Sequence, residues 1–141
     1  MKPEQDYKVS EFMTKDVVKV TTETSVRKCA EVMAAEHVSS TTVTEDDAIV
    51  GIITEKDLAR KIVAKGVDAD KVMAKDIMTT DLVTVEPEAS LYDAMLKLNK
   101  KKITHLPVVR NNVIIGIITS MDILKVQPSY MEILANPTNV K

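Results

Sequence analysis

Two copies of one short pattern carry the side chains best suited to chemistry. Gly51-Ile52-Ile53-Thr54-Glu55-Lys56-Asp57 recurs as Gly116-Ile117-Ile118-Thr119-Ser120-Met121-Asp122, 65 positions further along. The plainest duty of Thr-x-x-Asp is to cap a helix: the hydroxyl accepts a backbone N–H one turn on, and the acid reaches back to the threonine's own N–H. Ser90-Leu91-Tyr92-Asp93 has the same spacing where a cap alone is expected. The second duty is ligand binding. A strand-to-helix turn points free N–H groups and the positive helix end outward, which suits a phosphate. A carboxylate one turn later can accept two hydroxyl hydrogen bonds from a ribose. Spacing alone leaves the two readings level.

Other reactive side chains are few. The histidines are His37 and His105, and Cys29 falls on an apolar helical stripe, so neither metal-ligand spacing nor an activated thiol is expected. His105 precedes Leu106-Pro107 at a strand start and reads as a partly buried hydrogen-bonding histidine or as a phosphate contact. Lys97 and Lys100–Lys102 read as a solvated helix end favoured by the dipole. There is no Ser-His-Asp set, no paired-acid pattern and no Walker-type loop, so catalysis, a required cofactor and a metal site are not expected.

The elements that position these residues repeat with them. Phe12-Met13-Thr14 falls on Ile77-Met78-Thr79, and Val18-Lys19-Val20 on Val83-Thr84-Val85. Strands are expected over Val17–Val20 and Leu82–Val85. Helices follow, with Val26, Cys29, Ala30 and Met33 on one face of the first and Leu91, Ala94, Met95 and Leu98 on one face of the second. Two strand pairs come next, Ser39–Thr44 with Ala48–Ile53 and Thr104–Val109 with Val113–Ile118. Glu45-Asp46-Asp47 and Arg110-Asn111-Asn112 form the hairpin turns. A second helix starts after Thr54 and after Thr119. The fold class is mixed α/β (α+β): two β-α-β-β-α repeats packed as one pseudo-twofold module, because each alone would expose a large apolar face. The repeats occupy 9–66 and 67–127, with Lys61–Lys75 as connector. A tail, 128–141, carries Pro128 and Pro137 and is expected to fray.

Composition sets the setting. The 141 residues are 45% hydrophobic and 28% charged, which is globular. Nineteen basic and 21 acidic residues are interspersed for a net charge of −2, so nucleic acid or an anionic membrane exerts no bulk attraction. One cysteine makes no internal disulfide. The first dozen residues lack an apolar leader core, and no apolar run approaches the ~18 residues of a membrane helix. A cytoplasmic location without membrane contact is expected.

Taken together, Phe12-Met13-Thr14, Asp76-Ile77-Met78-Thr79, the strands ending in Val20 and Val85, His105-Leu106-Pro107-Val108-Val109 and both Gly-x-x-Thr-x-x-Asp blocks resemble the CBS (cystathionine-beta-synthase-like) domains over about residues 9 to 125. The resemblance implies a pseudo-twofold pair of repeats with two clefts that often bind AMP, ADP, ATP or S-adenosylmethionine. It implies that Thr54 and Asp57 serve one cleft and Thr119 and Asp122 the other. Val20-Thr21 and Val85-Glu86 would lie near the adenine, with Val43 and Val108 lining it. It also implies that Thr104 and His105 join Lys56 at the first cleft's phosphates, and that Ser39 and Ser40 stand in the corresponding place for the second. Met121 replaces the lysine there, so the clefts are not expected to be equivalent.

The function these readings favour is a non-catalytic sensor module. An adenine nucleotide or adenosyl ligand would act as its regulatory ligand, a homodimer as its assembly and an unidentified protein as its regulated partner. The alternatives are a constitutive interaction scaffold with vestigial clefts and, less favoured at this net charge, a nucleic-acid binder.

Overall fold

The computed structural model describes residues 7–135. The chain divides into two compact units: one spans Val17–Leu82, and the other joins the segment before Val17 to that from Val83 onward.

In the first unit β1 (Lys19–Thr21) runs parallel to β2 (Ser40–Glu45), which turns back antiparallel into β3 (Ala48–Thr54). The hairpin turn is Asp46-Asp47, both residues at positive φ (51° and 66°) as a two-residue type I′ connection demands. Along β3 the side chains alternate, with Ile49, Gly51 and Ile53 buried. Helix α2 (Val26–Glu36) starts at Ser25, whose hydroxyl accepts the Lys28 N–H, and lays Val26, Cys29 and Met33 inward. Val26 and Cys29 join Val20, Val43 and Ile53 in one core, closed by Ile62, Ala74 and Ile77. After Thr54 comes a single α-turn, α3 (Glu55–Asp57), that runs on as a π-helix over Leu58–Val63. The short α4 (Ala74–Ile77) is followed by Met78 and Thr79, and Thr79 exchanges backbone hydrogen bonds with Ile52 at 2.9 and 3.1 Å.

The second unit repeats the plan. Helix α5 (Leu91–Lys101) packs on the hairpin β4 (His105–Arg110) and β5 (Val113–Thr119), whose turn Asn111-Asn112 has the same pair of positive φ values, 51° and 66°. Helix α6 (Ser120–Val126) follows Thr119. The unit is completed from the other end of the chain. Val9 of α1 (Val9–Phe12) is fully buried in its core, and Thr14 exchanges backbone bonds with Ile117 at 2.9 and 3.0 Å. Each repeated Met-Thr pair therefore serves the glycine-bearing strand of the other sequence copy: Met13-Thr14 with β5, Met78-Thr79 with β3.

Two expectations about elements are revised. The strand expected at Leu82–Val85 is reduced to one bridge, Val85 with Val108. In the first repeat Thr42 donates its N–H to the Val18 carbonyl at 3.0 Å; the residue in its place in the second repeat is Pro107, which has no N–H to give. The tail does not fray at Gln127. Pro128 opens a 3₁₀ turn to Tyr130, and α7 (Met131–Ala135) continues from it. Tyr130 is 3% exposed in the core, edge-on to Tyr92. Residues 136–141, with Pro137, lie outside the described residues.

Candidate functional site

Both Thr-x-x-Asp blocks fold as reciprocal caps. Thr54 donates its N–H to Asp57 Oδ2 at 2.9 Å, and its hydroxyl accepts the Asp57 N–H at 3.4 Å. In the second copy Thr119 N–H meets Asp122 Oδ2 at 2.9 Å, and Asp122 N–H meets the Thr119 hydroxyl at 3.1 Å. This chain uses an acid at that helix position elsewhere: Asp76 accepts from Met73 N–H and Glu11 from Lys8 N–H. The capping reading is thus satisfied in full, and Ser90 caps α5 as expected, accepting the Asp93 N–H.

Capping leaves specific groups for a ligand. Glu55 N–H goes to the Ser39 carbonyl and Ser120 N–H to the Thr104 carbonyl, both at 3.1 Å. With the threonine and aspartate amides also engaged, the turns retain the amides of Lys56 and Met121 for an anion. A cradle of several N–H groups is therefore not what these turns offer. The aspartates are better placed. Asp57 and Asp122 are half-buried. A carboxylate has about four acceptor positions, and the cap occupies one oxygen of each.

Strand register decides which of the expected site residues share a neighbourhood. Thr54 lies opposite Ser40, and Thr119 lies opposite His105. Ser39 and Ser40 therefore flank the first box, while Thr104 and His105 flank the second, where the Thr104 hydroxyl and His105 Nδ1 are 3.0 Å apart. Val20 pairs with Val43, and Val43 with Gly51. Two strand spacings and three residues separate Val20 from Thr54, about 14 Å. That distance suits an elongated ligand lying across strand ends, not a single bonded cluster. Val20, Val43, Val85 and Val108 are all buried core residues. Beside them Thr21 and Glu86 are exposed. Thr21 is tied to Thr24, its N–H and hydroxyl both 3.0 Å from the Thr24 hydroxyl. Glu86 lines a cavity of about 700 Å³ with Glu88, Asp93, Lys97 and Lys100.

One contact at the first box was not anticipated. Lys61 Nζ lies 3.2 Å from Asp57 Oδ1 and donates to the Ile77 carbonyl at 2.6 Å. The signal is present in the sequence as the i, i+4 spacing of Asp57 and Lys61. The second repeat has Val126 in that place, and among the described residues Asp122 makes no ion pair.

No group of three or more His, Cys, Asp or Glu among the described residues could hold a metal ion, and no described helix is long and apolar enough to cross a membrane. Cys29 is fully buried in the core, and that burial pushes its thiol up.

The family model of the CBS domain matches residues 9–64 and 74–129. The chain belongs to the CBS domain family. The uncharacterized protein MK0525 of Methanopyrus kandleri is 38% identical over 85% of the chain and 62% of its own length. The chain thus spans about three fifths of that relative. The CBS domain-containing protein YhcV of Bacillus subtilis is 30% identical over 82% of the chain and 81% of its own. Among solved structures, an uncharacterized conserved protein from Pyrococcus horikoshii superimposes with a TM-score of 0.81 at 28% identity, covering 88% of this chain and 94% of that one. The CBS identity accounts for the paired Gly-x-x-Thr-x-x-Asp blocks and for the mixed α/β plan of each repeat.

Proposed function

We propose that this CBS pair is a non-catalytic regulatory module that binds adenosyl ligands, AMP, ADP, ATP or S-adenosylmethionine, at its two Thr-x-x-Asp boxes. The observation that carries the reading is the half-buried carboxylate at each strand-to-helix turn, anchored through one oxygen by its cap, the other oxygen meeting the Lys61 ammonium at Asp57 and no described cation at Asp122. A rigidly held carboxylate is the acceptor a ribose diol requires, and hydrogen bonds to a charged group are worth about 1.5–3 kcal/mol each. The ligand residues are Thr54, Lys56 and Asp57 at one box and Thr119 and Asp122 at the other, together with Val20, Thr21, Ser40, Val43, Val85, Glu86, Thr104, His105 and Val108. The CBS domain pair of protein MJ0100, a fold likeness at 24% identity and a TM-score of 0.79, was solved with 5′-methylthioadenosine and S-adenosyl-L-methionine, which supports an adenosyl ligand here. Binding would favour one arrangement of the module over another, and a protein partner would read that preference. The module acts as a homodimer.

Thermal unfolding in the presence of AMP, ADP, ATP and S-adenosylmethionine tests this. A ligand at a hundred times its Kd adds about 2.7 kcal/mol to the folded state. A shift with at least one of the four, abolished by replacing both aspartates, is expected. No shift with any of them favours a constitutive scaffold instead, a reading that the self-satisfied caps would also fit. A shift with RNA or DNA that fades with salt would point to nucleic acid.

A further inference from the structure

We infer that Lys61 is the specificity-determining residue of the first repeat, making that box selective for phosphorylated over uncharged adenosyl ligands. The inference rests on the adenosyl reading above. The two aspartates differ in open acceptor capacity. Asp57 Oδ2 takes the Thr54 N–H at 2.9 Å and the Thr54 hydroxyl at 3.3 Å, while Oδ1 takes the Lys61 ammonium at 3.2 Å. Of the carboxylate's four positions about one is open. Asp122 Oδ2 takes the Thr119 N–H, and no cation meets its other oxygen among the described residues. A ribose diol, which donates twice, fits Asp122 without displacing anything. At Asp57 it must move the ammonium aside.

What the ammonium does next depends on the ligand. Lys61 remains anchored by the Ile77 carbonyl at 2.6 Å, and its side chain is 39% exposed. It therefore stays beside the box instead of swinging into bulk water. A 5′-phosphate is the next charged group along a nucleotide from the ribose, and it falls inside the roughly 8 Å over which charges act at physiological salt. A phosphorylated ligand replaces the Asp57 contact with a phosphate contact. An uncharged nucleoside loses the first and supplies no second.

Two further observations separate the repeats in the same sense. The segment 55–63 carries Lys56, Arg60 and Lys61, whereas 120–126 carries Lys125 alone among cations. The turn bearing Lys61 is also a π-helix, Leu58–Val63, where the second repeat has an ordinary α-helix through Val126. Widened turns of that kind recur at functional sites. The chemistry at the first box is thus a nucleoside phosphate, and at the second an adenosyl group of lower negative charge.

Titration calorimetry on the full chain with AMP and adenosine as probes tests the assignment. The Asp122→Asn background silences the second box. Within it, Lys61→Met should lower the AMP-to-adenosine affinity ratio at least about tenfold, and Lys61→Arg should preserve it. In the Asp57→Asn background, Val126→Lys should raise the ratio. If both probes bind and the ratio moves in neither background, the Lys61 assignment is wrong while the adenosyl reading stands. If neither probe nor any other adenosyl ligand binds the unmodified chain, the adenosyl reading fails and the assignment falls with it. Val126→Lys keeps the test decisive should Lys61→Met fail to fold.

Discussion

The Met78 side chain lies directly over Gly51, so that a Cβ on the glycine would come within 2.7 Å of the methionine Cγ and 2.9 Å of its Cβ. Met78 cannot retreat easily, because the next residue, Thr79, is bonded to Ile52 through both backbone groups. Gly116 stands in the same relation to Met13, with the Thr14 carbonyl 3.1 Å from the position its Cβ would take. The glycine that opens each Thr-x-x-Asp block is therefore a packing requirement set by a methionine far away in sequence.

Gly51→Ala should cost about 2 kcal/mol through overpacking. Met78→Ala opens the needed space, so the double variant should be more stable than the sum of the two single losses predicts, by about 1 kcal/mol. Urea unfolding of the four proteins measures this. Strict additivity would show that the glycine answers to something other than Met78.

The hairpin turns hold residues that the backbone does not favour. Asp46, Asp47, Asn111 and Asn112 all adopt positive φ, and Glu45-Asp46-Asp47 adds three adjacent acids on exposed backbone. Glycine is at ease in that region. Asp47→Gly and Asn112→Gly should each raise the melting temperature by about 2–4 °C, Asp47→Gly more because it also removes a like charge. A lowered melting temperature for both would contradict the type I′ assignment.

These turns, the apolar stripes and the capping boxes were legible because each is a local pattern in which a few neighbours in sequence decide the geometry. What escaped was decided at long range. Nothing near Met13 says that it packs on Gly116, and nothing near Leu82–Val85 says that Pro107 will deny it a ladder bond. Tyr130 reads as tail because Pro128 precedes it, yet the core beside Tyr92 holds it. At the site, Thr54, Asp57, Thr119 and Asp122 were marked by repetition. Lys61 was not, because it occurs in one copy only and a search for what repeats passes over what differs.

Cys29 is fully buried in one core with Val26, Val43 and Ile53, and burial raises its pKa. The folded state therefore favours the neutral thiol. Its contribution to stability is present at neutral pH and is lost as pH rises through the raised pKa. Alkylation of the folded protein by iodoacetamide should be slow and limited by opening of the first unit, while unfolded chain reacts at the rate of a free thiol. Stability should fall less steeply on the alkaline side in Cys29→Ala. Rapid labelling of folded protein would place the thiol at the surface.

Val63, Met121 and Met131 are 77%, 59% and 55% exposed. Val63 lies in the first unit and Met121 and Met131 in the second, and each such surface offers apolar side chains that an isologous contact between two copies would bury. Sedimentation at micromolar concentration should give a mass near twice 15.6 kDa. Val63→Glu or Met121→Glu should shift it toward the monomer without lowering the unfolding free energy of the monomer. A monomer across the whole range would count against the dimer.

The two boxes should differ most in how strongly each aspartate supports a charged ligand. The segment that bears Asp57 carries Lys56, Arg60 and Lys61, of which Lys61 meets the carboxylate, while the corresponding places after the second box hold Met121, Lys125 and Val126. AMP and ATP bring negative charge that the first set attracts and the second largely does not. On the proposed reading, removing the Asp57 carboxylate would take away the charged acceptor for the ribose at the box where these ligands would gather. Removing Asp122 would do so where they would be sparse. Lys61, freed from Asp57, keeps its hold on the Ile77 carbonyl and cannot replace an acceptor, since an ammonium only donates. Asp57→Asn should therefore weaken AMP binding at least about tenfold more than Asp122→Asn, a difference of about 1.4 kcal/mol. The residual binding in Asp122→Asn should also fall more steeply with added salt, as an interaction resting on surface cations must. Calorimetry on both variants at two ionic strengths decides the matter: equal losses, or the larger loss in Asp122→Asn, would place the nucleotide phosphates at the second box.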